Sequence, residues 1–119
     1  MNDGVEGREV VLHAFAPTAE ALDAALRVAR NAVQALESGT TVRLVVQGGA
    51  VAGLTTDGGH VEDVLTTMRF SDVEVFACGN SLEGADIDPL LLLDGVVVTP
   101  SAVAFIVDQQ WQGAAYVRL

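Results

Sequence analysis

The chain holds one cysteine, Cys78, and two histidines, His13 and His60, so thiol or imidazole chemistry has to come from these three side chains. Cys78 is followed by Gly79, Asn80 and Ser81, a run of small, turn-forming residues. A cysteine just ahead of a helix is stabilised as thiolate by unpaired backbone N–H groups and by the positive end of the helix dipole, and the thiolate is the nucleophile. That placement predicts a thiol pKa below the roughly 8.5 of a free cysteine, whereas an apolar surrounding without donors would raise it. His13 is the candidate base to orient or deprotonate Cys78. Gln47, Gly48 and Gly49 form a second polar, glycine-rich turn with backbone donors for a small ligand. Each feature also has a structural reading, Cys78 as a small hydrophobe closing a buried strand and His13 as a hydrogen-bonded residue at a strand end. Spacing leaves both readings open.

Composition removes several other chemistries. All six basic residues are arginines and the chain has no lysine, so it supplies no Schiff-base amine, no pyridoxal anchor and no P-loop lysine. One cysteine and two histidines fall short of a four-ligand zinc site, and neither a metal nor a cofactor is expected. A formal net charge of −10 argues against nucleic acid and anionic lipid as partners. Gly48, Gly49 and Gly53 do not match a G-x-G-x-x-G nucleotide fingerprint, and the acidic pairs Glu62-Asp63 and Asp86-x-Asp88 read as solvated carboxylates without a role. His60, beside Gly58-Gly59, also reads as solvated.

The elements that must position these residues follow from periodicity. With 119 residues, half of them apolar, the chain is long enough for one buried core. Residues 1–8 are polar and glycine-containing and read as a mobile leader, which places a single domain over residues 9–119. Val10 to Phe15 is a short apolar run ending before Pro17, a strand buried on both faces. Leu22, Ala25, Leu26, Ala29, Val33 and Leu36 then recur at intervals of three and four, predicting a helix from about Thr18 to Glu37, with Thr18 as its cap and Ser38-Gly39 as its stop. Thr41 to Gln47 reads as a second strand followed by a loop, Val61 to Phe70 as a shorter helix, and Asp72 to Ala77 as a third strand. Leu82 to Leu93 has room for one or two helical turns around Asp88-Pro89. Val96 to Val98 is a fourth strand, Pro100-Ser101 opens a helix to about Gln112, and Ala114 to Leu119 closes as a fifth strand. Strands that alternate with helices and read as continuous apolar runs predict a largely parallel sheet covered on both faces. In such a sheet, ligands bind outside the carboxyl ends of the strands, where His13, Gln47 and Cys78 all fall. Trp111 is expected to pack the last helix against the sheet or a neighbouring subunit. The acidic N-terminus is unlike a secretory signal, and the longest oily stretch, Pro89 to Pro100, is short of the roughly 20 residues that span a membrane. A soluble cytoplasmic protein is the expectation.

Cys78-Gly79-Asn80-Ser81-Leu82 after a strand, Asp94-Gly95-Val96-Val97-Val98-Thr99-Pro100, and Gln109-Gln110-Trp111-Gln112-Gly113-Ala114-Ala115-Tyr116-Val117 occur in an order that resembles the DsrE/DsrF-like family of small intracellular sulfur-relay proteins. Val10 to His13, Asn31 and Val45-Val46-Gln47-Gly48 agree more loosely, and Ser101-Ala102 stands where relatives commonly have Ala-Gly. The resemblance implies a three-layer α/β/α sandwich with a five-stranded, mainly parallel sheet, assembled as a homotrimer or homohexamer. It also implies that Cys78, at the family's common cysteine position, carries sulfane sulfur as a persulfide between donor and acceptor proteins. Gln47, Gly48, Gly79, Asn80 and Ser81 are then the candidate ligand contacts around it. The alternative is a non-catalytic oligomeric binding module holding a small ligand at the strand ends. A hydrolase built on Cys78 and His13 ranks third, because the sequence offers no third residue to orient the base.

Overall fold

A computed structural model describes residues 7–119 of the chain. Of the expected leader, Met1 to Glu6 lie outside the described residues. The Arg8 carbonyl accepts the Thr41 N–H at 3.0 Å, so the chain is already tied to its neighbour where the first strand begins. Five strands form one sheet: β1 (Glu9–Phe15), β2 (Thr41–Gln47), β3 (Val73–Cys78), β4 (Val97–Thr99) and β5 (Ala115–Arg118). Their spatial order is β4-β3-β2-β1-β5, and every neighbouring pair is parallel. The sheet expected to be mainly parallel is therefore parallel throughout.

Side chains of a strand alternate between faces, and the two faces carry separate cores. On one face Val10, Leu12, Ala14, Val42, Leu44, Val46, Val73, Val75 and Ala77 pack against Leu22, Ala25, Leu26 and Ala29 of α1 (Leu22–Ala35) and Val64 of α2 (Val61–Phe70). On the other, Val11, Val45 and Cys78 pack against Ala102 and Ile106 of α4 (Ala102–Trp111). Between them lies the short α3 (Gly79–Gly84), which leaves the end of β3 and buries Leu82 in the first core. Helices on both faces make the three-layer sandwich. The first three crossovers each step to an adjacent strand, whereas α4 carries the chain from β4 across the opposite face to the far edge, next to β1. The connection reverses between β1 and β5, the kind of switch point at which α/β sheets open a crevice.

Element boundaries depart from the sequence reading where capping and burial override period. The expected helix from Thr18 begins as a 3-10 turn, Ala19–Ala21, and Thr18 is extended but makes no side-chain cap bond. Its α-helical part stops at Ala35, two residues before Glu37, because Leu36 turns extended (φ −83°, ψ 159°). The loop expected after β2 is instead a 3-10 helix, Gly48–Leu54, with Ala50, Val51, Gly53 and Leu54 buried. Seven small residues hold too few repeats for a helical period to show, yet their apolar side chains fill the end of the first core. His60 is not a solvated residue: its side chain is largely covered and its Nδ1 lies 2.9 Å from Asp23 Oδ1, linking α2 to α1. Asp63 likewise pairs with Arg30 at 2.8 Å.

At the amino end of the α4 face, Arg43 ties three neighbouring strands together. Its guanidinium donates to Glu9 at 2.7 Å, Glu74 at 2.9 Å and Gln109 at 2.7 Å. Burial alone would lower its pKa, but the two carboxylates outweigh this and raise it. Taking away one partner of such a group leaves a partly covered charge uncompensated. Arg43→Met is accordingly expected to lower stability by about 1–3 kcal/mol, less in high salt, read as a fall in the urea midpoint. An unchanged midpoint would mean that the network is screened by water.

Candidate functional site

Cys78 is the last residue of β3 and the first residue before α3, so its side chain lies at the carboxyl edge of the sheet on the α4 face. Its sulfur accepts the Ala102 backbone N–H at 3.4 Å, at the start of α4. Ser101 caps that helix by accepting the Ala104 N–H at 3.1 Å, leaving the Ala102 amide free for the thiol. The turn into α3 is held close by the Asn80 N–H, which donates to the Pro100 carbonyl at 3.1 Å. Burial of Cys78, which is 2% exposed, pushes its pKa up. Hydrogen bonds from the Ser81 side chain and from the backbone N–H groups of Ala102, Ser81 and Asn80 push it down by more, so the thiol is more acidic than an ordinary cysteine. Ser81 is itself fixed, since its hydroxyl oxygen accepts the Gly48 N–H at 2.8 Å, which directs its proton elsewhere.

The strand order brings the sequence candidates together. Gln47 ends β2, one residue beyond the Val46–Ala77 pair, on the same level and the same face as Cys78. His13 lies on that face of β1, is 6% exposed, and points its Nε2 at Gln47 Oε1, 2.7 Å away. Its Nδ1 is 2.7 Å from the hydroxyl of Tyr116 on β5. Four adjacent strands thus present a row of four polar or reactive side chains, Tyr116, His13, Gln47 and Cys78, across the α4 face. Phe15 stacks on the His13 ring at a centroid distance of 6.0 Å, and the Arg118 guanidinium lies 5.7 Å over the Phe15 ring and donates to the Phe15 carbonyl. The turn after Gln47 requires Gly48, whose φ is +79° and where a Cβ would sit 2.6 Å from the Ala16 carbonyl oxygen.

Sequence reasoning missed two participants. Tyr116 was visible only as an aromatic in the last strand, and nothing local said that this strand lies beside β1. The Ala102 amide carries no side-chain signal at all. His13 is spatially separated from Cys78 by Gln47, so the structure sets it as a partner of the glutamine rather than as a direct base. Gly79 and Asn80 are the first two residues of α3, directly after Cys78. Of the two placements expected for Trp111, packing on the sheet of its own chain is not found: the side chain is 83% exposed in the single chain. Among the described residues no group of His, Cys, Asp and Glu is arranged to hold a metal ion, and no helix is long and apolar enough to cross a membrane.

The geometry has counterparts among known structures. The chain is similar to the protein of unknown function MTH1491 from Methanobacterium thermoautotrophicum, with a TM-score of 0.84 and 30% identity over 94% of this chain and 99% of that one. The chain belongs to one family with MTH1491. The ychN protein of E. coli shares the fold at a TM-score of 0.71 and 24% identity, over 94% of this chain and 99% of its own. The protein of unknown function BT1422 from Bacteroides thetaiotaomicron does so at a TM-score of 0.72 and 12% identity, over 99% of this chain and 100% of its own. No protein-family model matches the chain, and no curated protein does. Membership with MTH1491 thus establishes the architecture and assigns no activity.

Proposed function

We propose that this protein is a DsrE/DsrF-like sulfur carrier of the reducing cytoplasm, holding sulfane sulfur as a persulfide on Cys78 and passing it between protein thiols. The observation that carries this reading is one buried thiol whose sulfur accepts the Ala102 amide at 3.4 Å, with Ser81 beside it, so that it is held more acidic than burial alone would leave it. A purely packing cysteine has no need of such donors. Loading proceeds when the Cys78 thiolate attacks the outer sulfur of a donor persulfide, R–S–SH. A Cys78 S–S bond forms, the donor S–S bond breaks, and the donor leaves as its thiolate. The sulfane sulfur changes carrier without any net oxidation. Transfer onward repeats the step with an acceptor thiolate attacking the outer sulfur and Cys78 leaving.

Because the sulfur is covered, exchange requires the Ser101–Ala102 backbone to move aside, a local opening rather than global unfolding. Incubation with inorganic polysulfide followed by intact mass tests the reading. A gain of one sulfur that a reducing thiol removes is expected, and a native protein that gains none would overturn it. A co-purifying small ligand with no sulfur gain would favour the binding module instead. A second consequence concerns reagent size: relative to free cysteine, a small thiosulfonate is expected to outpace a bulky maleimide by more than their intrinsic ratio, and equal ratios would place the thiol in the open.

The same reading makes the protein a homotrimer or homohexamer. Val103, Val107 and Trp111 lie four residues apart on α4 and are 58%, 37% and 83% exposed, an apolar ridge that the single chain leaves uncovered. Since Trp111 contributes little to the core of its own chain, Trp111→Ala is expected to dissociate the assembly while leaving each protomer folded. Light scattering is the measurement, and a native mass of 12.4 kDa at micromolar concentration would sink the prediction.

A further inference from the structure

We propose that Gln47 is the residue that binds the transferred sulfur, its side-chain amide nitrogen donating to the outer sulfur of a Cys78 persulfide, and that Tyr116 and His13 are positioning residues that hold the amide in the orientation presenting nitrogen to that sulfur. The inference rests on the carrier reading and deepens it. Gln47 stands beside Cys78 on the neighbouring strand, same level and same face, while its Oε1 is taken by His13 Nε2 at 2.7 Å. With Oε1 placed at the ring, Nε2 carries the hydrogen, since a carbonyl oxygen only accepts, and the Tyr116 hydroxyl lies 2.7 Å from Nδ1 on the other side of the ring. With the amide oxygen committed to one side, the amide nitrogen is left for the other. Among the described residues it donates to none.

The opposite arrangement, amide nitrogen toward the ring and oxygen toward Cys78, would place a lone-pair dipole against a thiolate or persulfide anion. An anion at Cys78 therefore favours the orientation in which the amide oxygen faces His13. His13 is 6% exposed, so water does not readily replace either of its partners, and the row is set before sulfur arrives. The Ala102 amide and Ser81 serve the sulfur that is already attached to the chain. A persulfide adds a second, terminal sulfur, whose S–H is more acidic than that of a thiol, so that it is anionic near neutral pH. Gln47 supplies it with a donor from the sheet side. An anionic outer sulfur is a poor electrophile toward stray thiolates, so this contact retains the cargo until an acceptor displaces it.

The test uses the full-length protein loaded with inorganic polysulfide, freed of excess reagent, and challenged with a reducing thiol while intact mass reports the fraction still carrying sulfur. Gln47→Leu and the isosteric Gln47→Glu are expected to lose sulfur about tenfold faster than the unaltered protein, the scale of one hydrogen bond to an anion. Tyr116→Phe, which keeps the ring but frees His13 to turn, is expected to give a smaller loss, about threefold. In the loaded Gln47→Leu protein the near-ultraviolet absorbance of the persulfide anion is expected to titrate about one pH unit higher, the equivalent of that tenfold change. In the unloaded variants the alkylation midpoint of Cys78 is expected to move by less than the persulfide midpoint does, because Ala102 and Ser81 still serve the inner sulfur. Equal retention in Gln47→Glu and the unaltered protein overturns the role of Gln47 and leaves the carrier reading standing. An equal shift of the loaded and unloaded midpoints also overturns it, because the residue would then act on the thiol or the fold and not on the outer sulfur. An unaltered protein that takes up no sulfur overturns the carrier reading, and this inference with it.

Discussion

Cys78→Ser is expected to bring polysulfide loading to background and to abolish alkylation of the native protein, the largest functional effect any single substitution should have. Serine keeps nearly the same volume beneath Ala102, so the fold should survive and the loss should be chemical. The unaltered thiol is expected to titrate with an alkylation midpoint below that of free cysteine, in the direction set by its donors. Ser81→Ala removes the strongest of these and also deprives the Gly48 amide of its acceptor, so its midpoint is expected to rise and its rate at neutral pH to fall. The sign carries over to stability. A folded pKa below the unfolded one means that the thiolate contributes stability in full above about pH 8.5, and that this contribution is lost as pH falls through the lowered folded value. Cys78→Ser should erase that pH-dependent part of the unfolding free energy. A midpoint at or above that of free cysteine, or a thiol that reacts only in denaturant, would leave Cys78 as a packing residue.

The largest effect on stability is expected at Gly49→Ala. A Cβ there would lie 1.9 Å from the Pro17 carbonyl oxygen and 2.7 Å from its carbon, both backbone atoms that cannot rotate away. The contact joins the turn after β2 to the turn after β1, which the Ala50 N–H donating to the Ala16 carbonyl at 3.0 Å also ties together. Forcing the two turns apart would break that bond and displace Gln47 and Gly48 from beside Cys78. A loss of about 3 kcal/mol is the expected scale for backbone overpacking, read as a drop in the urea midpoint without change of slope. Gly84→Ala is the comparison, since no atom stands within 4 Å of a Cβ built there. It should be neutral or mildly stabilising, by about 0.4–1 kcal/mol. Equal destabilisation by the two substitutions would contradict the steric account.

The apolar runs Val10 to Phe15 and Thr41 to Gln47, a third strand over Asp72 to Ala77 that the structure shifts by one residue to Val73–Cys78, and the three-and-four spacing of Leu22, Ala25, Leu26 and Ala29 follow from the chain alone, because periods of two and 3.6 are local geometry. The alternation of strand and helix sets a parallel sheet for the same reason, since short crossovers of this kind leave parallel strands as neighbours. From that much the sequence by itself placed Gln47 and Cys78 at strand ends on one edge, whereas His13, also read as a strand end, lies inside β1, which runs on to Phe15. What it could not determine was which strands touch. Tyr116 reaches His13 across 103 residues of chain, and the Ala102 amide reaches Cys78 across 24. Those contacts exist because α4 crosses the sheet and returns β5 beside β1 instead of beside β4. Strand order is decided by how two apolar faces are best covered at once, a property of the packed whole, so periodicity carries no record of it. The buried 3-10 helix Gly48–Leu54 escaped for the same reason, since its apolar side chains join a core assembled from distant strands and helices.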